Sequence, residues 1–457
     1  MPLESNLYGL WAAKQVAKGT ENTTPTHRFV QVGGDVAMSF DEGNEDWSDL
    51  SKYGGQTQWI NSLTGGGTPA LEATPSETGA LLWLAHGGET ATVGTDNVQT
   101  ITTGTASGGT WSLVIYDGVQ TITVSGLAIT ISAASLDTAI EAALAAATVP
   151  YASNQVACAG GPLNSTPITV TFNGTQTAKR PWPTMTTVTT LLTGGTGPSI
   201  ANTTPGVRTK HLFVPSTTQG HWCTFVRRVG GSSVTMRHSF IDCLIGGLTI
   251  EGSTANKALR ISPTVLSLDP GKVLASDPAQ ALPTGVDLKP WLYTDATAAL
   301  TWNGTALQSQ SEFTFTINED RSPVYGDDAV PYDLAVGNPT ASMAITAIFD
   351  SVTAARWNEL VYGTAAPSTG TKPLRSIAAD IAYIAYFKQK DGVGNLTGND
   401  LKITIPRLHV PVPDAPGPNP AGGNTTVTFT GAIMPPGGST QPYTLEVWNG
   451  DAAAYSA

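Results

Sequence analysis

The chain has 457 residues, of which 13% are charged and 40% hydrophobic, and its formal net charge is −12. This length allows two or three domains with a substantial buried core. The acidic balance, with no basic run longer than the pair Arg227 and Arg228, argues against a surface that grips nucleic acid. Thr, Ser and Gly stand where charged residues are usual, which indicates a β-rich protein with many turns.

Export and disulfide signals are missing from the sequence. Cys158, Cys223 and Cys243 are too few for a disulfide framework, so we expect reduced thiols in a protein made in a cytoplasm. The first twenty residues lack the basic start and apolar stretch of a signal peptide. The longest apolar runs, such as LLWLA at 81–85, are far shorter than the roughly 20 residues of a membrane-spanning helix. We therefore expect no secretion and no membrane insertion.

The N-terminal part begins with strand patterns. Residues 28–40, RFVQVGGDVAMSF, alternate in β fashion around a Gly-Gly break. The polar stretch 41–67 that follows predicts a long exposed loop, with the Gly-rich segment LTGGGTP at 63–69 as its mobile tip. An acidic cluster in this stretch lacks the spacing and glycine of a calcium loop, so we interpret it as a solvated face. The cluster comprises Asp41, Glu42, Glu45, Asp46 and Asp49.

A capped helix is predicted at 74–88, TPSETGALLWLAHGG. The hydroxyl of Thr74 can cap the helix while Glu77 reaches back to it. Pro75 suits the first helical position, where no amide bond is needed. Gly87 supplies the left-handed stop.

Residues 95–206 have few aromatics and predict a separate module with a strand, strand, helix, strand rhythm. In its helix, Leu136, Ile140 and Leu144 recur four apart on one face, and Ser135 is the expected cap. Segments rich in Thr, Gly and Pro at 89–96 and 193–207 mark its edges. The sequence thus divides into a core at 1–94, an insert at 95–206 and a second core part at 207–457.

Strand patterns resume at 211, with turns predicted at Gly230-Gly231 and Gly246-Gly247. A second core helix is predicted at 350–363, beginning at Asp350, with Ala354, Trp357 and Val361 on one side and a stop at Gly363. Residues 376–388 predict a strand buried on both faces. KITIPRLHVPVP at 402–413 predicts a strand that lies at an edge or leaves the sheet at its prolines.

Signals of catalysis are weak. A nucleophile elbow, a phosphate loop, a dinucleotide fingerprint and a zinc-protease helix are all missing. The nearest approach to a metal site is a group with one His-x-Cys step, in which His221 and Cys223 could share a strand face. We prefer to interpret the members of this group as core residues with ordinary hydrogen-bond partners. That group comprises His211, His221, Cys223, His238 and Cys243.

Two further patterns could mark a functional site or could simply follow from the composition of the chain. Asp327 and Asp328, which follow Glu319 and Asp320, could be paired carboxylates for glycoside hydrolysis, but nothing places a sugar beside them. Asn-x-Thr triplets, for example at Asn173 and Asn303, follow from the Thr-rich composition and carry no glycosylation message without a signal peptide. We expect no catalytic, cofactor-binding or metal-binding residues and no cofactor.

Taken in order, the segments outside 95–206 resemble the tail tube proteins of siphophages, the long-tailed bacteriophages. GLWAAKQVAKGTENTTPTHRFVQVGGDVAMSF resembles the family's extended arm and first strand, and TPSETGALLWLAHGG its short helix. HSFIDCLIGGLTIEGSTANKALRISPTVLSLDP resembles the central strand pair, and SEFTFTINEDRSPVYGDD a strand with an Asn-rich turn. DSVTAARWNELVYG, KITIPRLHV and the closing strand PYTLEVWNGDAAAY follow in the expected order. The insert resembles small repeated modules of phage structural proteins and departs from the minimal family pattern.

The resemblance implies a mainly β, β-rich α+β fold with two packed antiparallel sheets flanked by short helices, plus a small inserted α+β or β-sandwich-like domain. It also implies a non-catalytic subunit that forms stacked hexameric rings in the virion tail. The implied partners are a tape measure protein in the lumen, tail terminator and tail tip proteins, and double-stranded DNA that passes without sticking. We expect the 41–67 loop and the terminal arms to make contacts between rings, and the insert to project outward.

Three alternatives stay open at this point. A minor tail protein or tail terminator of the same fold is the nearest. A carbohydrate-binding module, with Trp302 and Trp357 in an aromatic platform, is the second. A glycosidase is the third.

Overall fold

The computed structural model describes residues 9–47, 55–215, 220–230, 235–269, 271–282, 288–295, 300–307, 309–327, 330–373, 378–392, 394–413, 416, 424–437, 441–451 and 454–455. Within these ranges the backbone alone is described for 40–47, 55–62 and 378–379. Strands make up 49% of the structure and helices 10%. The fold is therefore mainly β, with several antiparallel sheets and few helices, as the sequence predicts.

The secondary structure falls into three stretches along the chain. Before the insert lie β1 (Gly9–Lys14), β2 (His27–Phe29), β3 (Gln31–Gly33), β4 (Ala37–Trp47), β5 (Gly55–Gly67), β6 (Ala70–Glu72), α1 (Pro75–His86) and β7 (Thr90–Thr92). Within the insert lie β8 (Asn97–Thr102), β9 (Gly108–Tyr116), β10 (Thr121–Ala128), α2 (Ala133–Ala145), β11 (Val156–Gly160), β12 (Ile168–Phe172), β13 (Thr186–Val188), β14 (Leu192–Thr193) and β15 (Ser199–Thr204).

After the insert lie β16 (Thr209–Phe213), β17 (Cys223–Gly230), β18 (Thr235–Ser253), β19 (Arg260–Ser267), β20 (Lys272–Val273), β21 (Thr301–Trp302), β22 (Thr305–Ala306), β23 (Gln310–Asn318), β24 (Arg321–Val324), β25 (Asp333–Val336), β26 (Thr340–Ile348), α3 (Ser351–Tyr362), β27 (Ala378–Lys390), β28 (Leu396–Pro411), β29 (Thr426–Ile433) and β30 (Thr444–Asn449).

Two sheets outside the insert form the body of the protein. In the first sheet, the C-terminal half of β18 lies between β19 and β23, and β26 and β29 continue beyond β23. In the second sheet, β28 pairs with β27 on one side and β30 on the other, and β16 and β7 continue beyond β30. The sheets join where Leu408 and His409 of β28 pair with β29.

The inner faces of the two sheets pack against each other. Phe313 of the first sheet stacks on Phe387 of the second, with ring centroids 5.5 Å apart. Trp302, beside β27, meets Phe429 of β29 edge-on at 4.8 Å. These side chains are almost fully buried, and burying such rings supplies much of the free energy that stabilises the body.

Helix α1 packs between the sheets and is buried over nearly its whole length. Pro75 starts it and Gly87, with φ of 73°, stops it, as predicted. The predicted capping box is wrong. Thr74 has the extended backbone of a cap residue but makes no side-chain cap hydrogen bond, and the carboxylate of Glu77 instead lies near the imidazole of His27.

Helix α3 begins and ends as predicted. The side chain of Asp350 accepts a hydrogen bond of 2.8 Å from the amide of Thr353, and Gly363 adopts the left-handed stop. Its buried residues are Thr353, Leu360 and Val361, with Trp357 packed against the core.

The insert is built from two small sheets and one helix. Strands β8, β11, β12 and β15 form one sheet, and β9, β10, β13 and β14 the other. Leu136, Ile140 and Leu144 of α2 point into the insert's hydrophobic cluster. The predicted cap is wrong by one turn: Ser132 accepts from the amide of Ser135, so the helix starts before the expected residue.

Three strand predictions are also corrected. The described residues of the 41–67 stretch, 41–47 and 55–67, pair as the hairpin β4–β5 and do not form a loop. β18 continues through Gly246-Gly247 with a bulge where a turn was expected. In β27 the inward residues are buried, whereas Ala382 is exposed, so this strand is not buried on both faces.

β28 is paired on both sides and leaves the sheet at Pro411, the second of the two predicted outcomes. Gly230 ends β17, but Gly231 lies outside the described residues.

Candidate assembly surface

A long hairpin, here called the arm (β4 and β5), leaves the body of the protein. Its pairing runs from Ala37–Gly66 to Trp47–Gly55. The arm joins the body through Gly65, Gly66 and Gly67, which pair with β19. From Ser39 onward the arm pairs with no other strand that the structure describes, over a length of about 30 Å at 3.4 Å per residue.

The glycines at this root permit a close approach of three backbone segments. Gly66 and Gly67 have φ of +153° and +149°, a region that favours glycine. A Cβ on Gly66 would overlap the carbonyl of Val265, and one on Gly67 would overlap the carbonyl of Asp35. The Gly-rich segment is therefore the fixed root of the arm, and its prediction as a mobile tip is wrong.

The two outer edges of the arm are open. In an antiparallel hairpin, half of the backbone amides and carbonyls of each strand point away from the partner strand. An exposed edge of this kind is a template for pairing with another chain. The arm thus presents two such edges along its described length outside the root.

The outer face of the first sheet is rich in hydroxyls. Thr249 and Thr316 lie across from each other at 3.4 Å, and Thr346 contacts Thr428 at 3.0 Å and donates to Glu312 at 3.0 Å. Neither Lys nor Arg occurs among the outward residues of the C-terminal half of β18 or of β23, β26 and β29, all of which are described. Those outward residues include Thr249, Glu251, Ser253, Glu312, Thr314, Thr316, Asn318, Thr340, Ser342, Ala344, Thr346, Ile348, Thr426, Thr428, Thr430 and Ala432.

The outer face of the second sheet has a different character. Lys388 lies over the ring of Tyr386 at 4.8 Å. Glu446 bonds Lys210 at 3.1 Å and Lys402 at 3.3 Å. Arg260 of β19 is a basic group on the outer face of the first sheet, where it lies opposite Glu251 and Glu72. The outer face formed by β18, β23, β26 and β29 thus carries hydroxyls and carboxylates, whereas on the outer face of the second sheet lysines surround an aromatic ring.

The predicted metal residues have separate, ordinary partners. His211 bonds the buried Glu89, and His221 packs against Trp83 at 4.6 Å. Cys223 and Cys243 lie opposite each other on β17 and β18, where burial raises the pKa of both thiols. Among the described residues no three His, Cys, Asp or Glu side chains form a group able to hold a metal.

The other predicted residues are equally dispersed. Asp320 occupies a turn and accepts from the amide of Asn338 at 3.1 Å, whereas burial raises the pKa of Glu319 beside Arg321. Asp328 and Asp49 lie outside the described residues, as do the side chains of Asp41, Glu42, Glu45 and Asp46. Trp302 is 1% exposed and so cannot serve in a sugar platform.

Two comparisons of the sequence with known proteins found no match. A scan against protein-family models found no match, and a search of the curated proteins found none either. Across the described part of the chain, none of the helices is both long and apolar enough to cross a membrane.

Proposed function

We propose that this chain is the structural subunit of a siphophage tail tube, polymerising as stacked hexameric rings around a channel for DNA. The observation that carries the proposal is the arm, which extends about 30 Å from the body with two open edges. A protein that works alone gains nothing from such an element, because open edges invite pairing with other chains. A polymerising subunit uses them to bind its neighbours.

The asymmetry of the two outer faces supports the same proposal. A wall that lets DNA slide must not hold phosphates, and hydroxyls with carboxylates repel or ignore them. We assign the outer face formed by β18, β23, β26 and β29, with Glu251 and Glu312, to the lumen side; Arg260 at its margin lies opposite Glu251 and Glu72, which offset its charge. The tape measure protein would lie against this face before ejection, with terminator and tip proteins at the tube ends.

The arm offers a direct test of assembly. Glu42 and Ile60 face each other in register, so residues 43–59 can be replaced by an Asn-Gly turn that closes the hairpin early. The intact chain should give hollow filaments in negative-stain electron microscopy, and this variant should give folded subunits without filaments. If the intact chain forms no rings or filaments, the proposed function is wrong; if the variant forms normal tubes, the arm does not drive assembly.

The insert supplies the matched control. Its two ends meet at Thr95 and Val207, which exchange backbone hydrogen bonds of 3.0 and 2.9 Å. A short glycine linker between these residues can replace the insert without stretching the body. We expect thinner tubes from that variant, since the insert would project outward. Loss of tubes would show that the insert holds subunits together.

The lumen assignment has its own test. Tubes carrying Thr316→Lys and Thr346→Lys should retain double-stranded DNA in a salt-dependent manner, because lysines on the wall bind phosphates. Tubes with Lys added at Val119, an exposed position on the insert, are the control. Equal DNA retention by both variants would contradict the assignment.

A further inference from the structure

The segment that follows β30 places an aromatic ring, that of Tyr455, in a socket on the body. The socket comprises Gly79 and Trp83 of α1 together with His211 of β16. The ring of Tyr455 lies with its centroid 4.9 Å from that of His211 and 6.3 Å from that of Trp83. The rings of His27 and Phe213 complete the surround at 6.2 and 6.5 Å.

Gly79 makes room for this ring. Glycine is among the least favourable residues inside a helix, so its place in the middle of α1 needs a reason. A Cβ at this position would come within 3.0 Å of three atoms, and all three belong to the phenol of Tyr455. The helix surface is therefore shaped for an aromatic side chain.

Polar groups also recognise the segment. The amide of Tyr455 donates to Oε2 of Glu89 at 2.7 Å, and Oε1 of Glu89 contacts Nδ1 of His211 at 2.5 Å. The side chain of Asn449 donates to the phenol oxygen at 2.6 Å, and that hydroxyl donates to Asp451 at 2.6 Å. The side chains of Glu89 and His211 are both 0% exposed. The socket thus binds both the phenol and the backbone amide of Tyr455 through hydrogen bonds.

No strand pairing fastens the described residues of this segment. β30 ends at Asn449, and residues 450, 451, 454 and 455 belong to no strand. Release of these described residues from the socket therefore breaks no strand ladder. Between Asn449 and Tyr455 the chain can span about 20 Å when extended. Glu89 directly precedes the short strand β7, which pairs with β16 on one side only among the described strands, so the socket lies beside a sheet edge.

We propose that the socket is a binding site for a C-terminal tyrosine segment and that it accepts this segment from a second copy of the chain as well as from its own. Exchange of the segment would link two copies that meet at the β7 edge. This inference goes beyond the tube proposal, since it concerns a different surface and does not require the arm.

The first test supplies the segment as a separate peptide. A chain ending at Gly450 should bind a fluorescently labelled peptide of residues 451–457, measured by anisotropy. A peptide with Tyr455→Phe should bind about tenfold more weakly because it lacks the hydroxyl, and one with Tyr455→Ala should not bind. Gly79→Ala in the shortened chain should abolish binding while favouring the helix itself. A folded shortened chain that binds no peptide would overturn the proposal.

The second test measures exchange between copies. One partner is the full chain with Gly79→Ala, which has a tail and no socket; the other is the chain ending at Gly450, which has a socket and no tail. Both carry the shortened arm, so that arm-driven filaments do not interfere. Mass photometry should show a one-to-one complex in the mixture and single subunits of each alone. Single subunits in the mixture would refute exchange, whatever the intact chain does in electron microscopy.

Discussion

The carboxylate of Glu77 lies 3.8 Å from the imidazole Nδ1 of His27, and both side chains are mostly buried. Burial, together with nearby Asp451, raises the pKa of Glu77 to about 8. Burial lowers the pKa of His27 to about 4. At neutral pH both groups are therefore mostly uncharged in the folded protein. In the unfolded chain, by contrast, Glu77 is ionised at this pH.

We predict that Glu77→Gln stabilises the protein at high pH. Unfolded Glu77 titrates near 4.5 and the folded group near 8, so its stabilising effect is complete below pH 4.5 and is lost as pH rises through 8. The variant should gain roughly 2–4 kcal/mol over the parent at pH 8 and little at pH 4.5. Urea unfolding across this range measures the difference, with Glu251→Gln on the outer face as control. If the unfolding free energies of the parent and Glu77→Gln change in parallel with pH, the raised pKa of Glu77 is contradicted.

The opposite pH dependence is expected from the histidines. Burial lowers the pKa of His27, His86 and His221 to about 4 each. Their stabilising effect is complete above pH 6.5 and is lost as pH falls toward 4, because the unfolded chain takes up protons first. His86→Gln should reduce the slope of unfolding free energy against pH by up to about 1.4 kcal/mol per pH unit in this range. An unchanged slope would show that His86 takes up protons equally in the folded and unfolded chain, against the lowered pKa.

The three thiols should be unreactive in the folded protein. Burial raises the pKa of Cys243 and of Cys158 to about 12 and that of Cys223 above its usual range, and the reactive species is the thiolate. At pH 8 we expect slow reaction with Ellman's reagent, followed by three equivalents when urea is added. Cys158→Ser should lower that total to two. Rapid reaction of the native chain would contradict the burial of these side chains.

The arm root should be sensitive to a single methyl group. Gly66→Ala adds a Cβ that overlaps the carbonyl of Val265 and strains a positive φ. We expect the arm to detach from β19, with few or no tubes and a folded body. Gly33→Ala, whose new Cβ would meet only the Cβ of Ala70 at 3.9 Å, is the control. Normal tubes from Gly66→Ala would argue against a fixed arm angle.

The two faces of β23 should respond differently to truncation. Phe315 is 0% exposed and meets Tyr443 edge-on at 5.4 Å. Phe315→Ala should cost about 3–5 kcal/mol of unfolding free energy because it leaves a cavity. Thr316→Ala, the next residue on the outer face, should cost within about 0.5 kcal/mol. Chemical denaturation of both variants measures the contrast, and similar losses would mean that the first sheet has no dry inner face.

Short-range sequence signals predicted the helix ends well, but they predicted poorly the strand pairings between segments distant in the chain. Pro75, Gly87, Asp350 and Gly363 mark helix ends because each acts within a few residues. There are two exceptions. The capping box at Thr74 does not form. At α2, two serines near one helix start offer two caps, and only the packing of the helix selects Ser132.

The arm was missed because its strands have no alternating pattern. Polar and Gly-rich strands look like loops when no core face selects a register. The glycines at the root were interpreted as flexible for the same reason. Glycine is needed there because β19, about 200 residues away in the chain, approaches this backbone closely. The socket could not be foreseen either, since Gly79 and Tyr455 are joined only by tertiary structure.

The pairing of Thr95 with Val207 has a practical consequence. The chain leaves the body and returns to it through one pair of hydrogen-bonded residues. The insert also packs on the body, where Pro181 lies beside Gly398 of β28. Along the chain, however, the insert is a closed loop, and the free energy of closing a loop grows slowly with its length. A foreign domain whose own ends lie as close together can be grafted at this junction, which makes the position a natural display site.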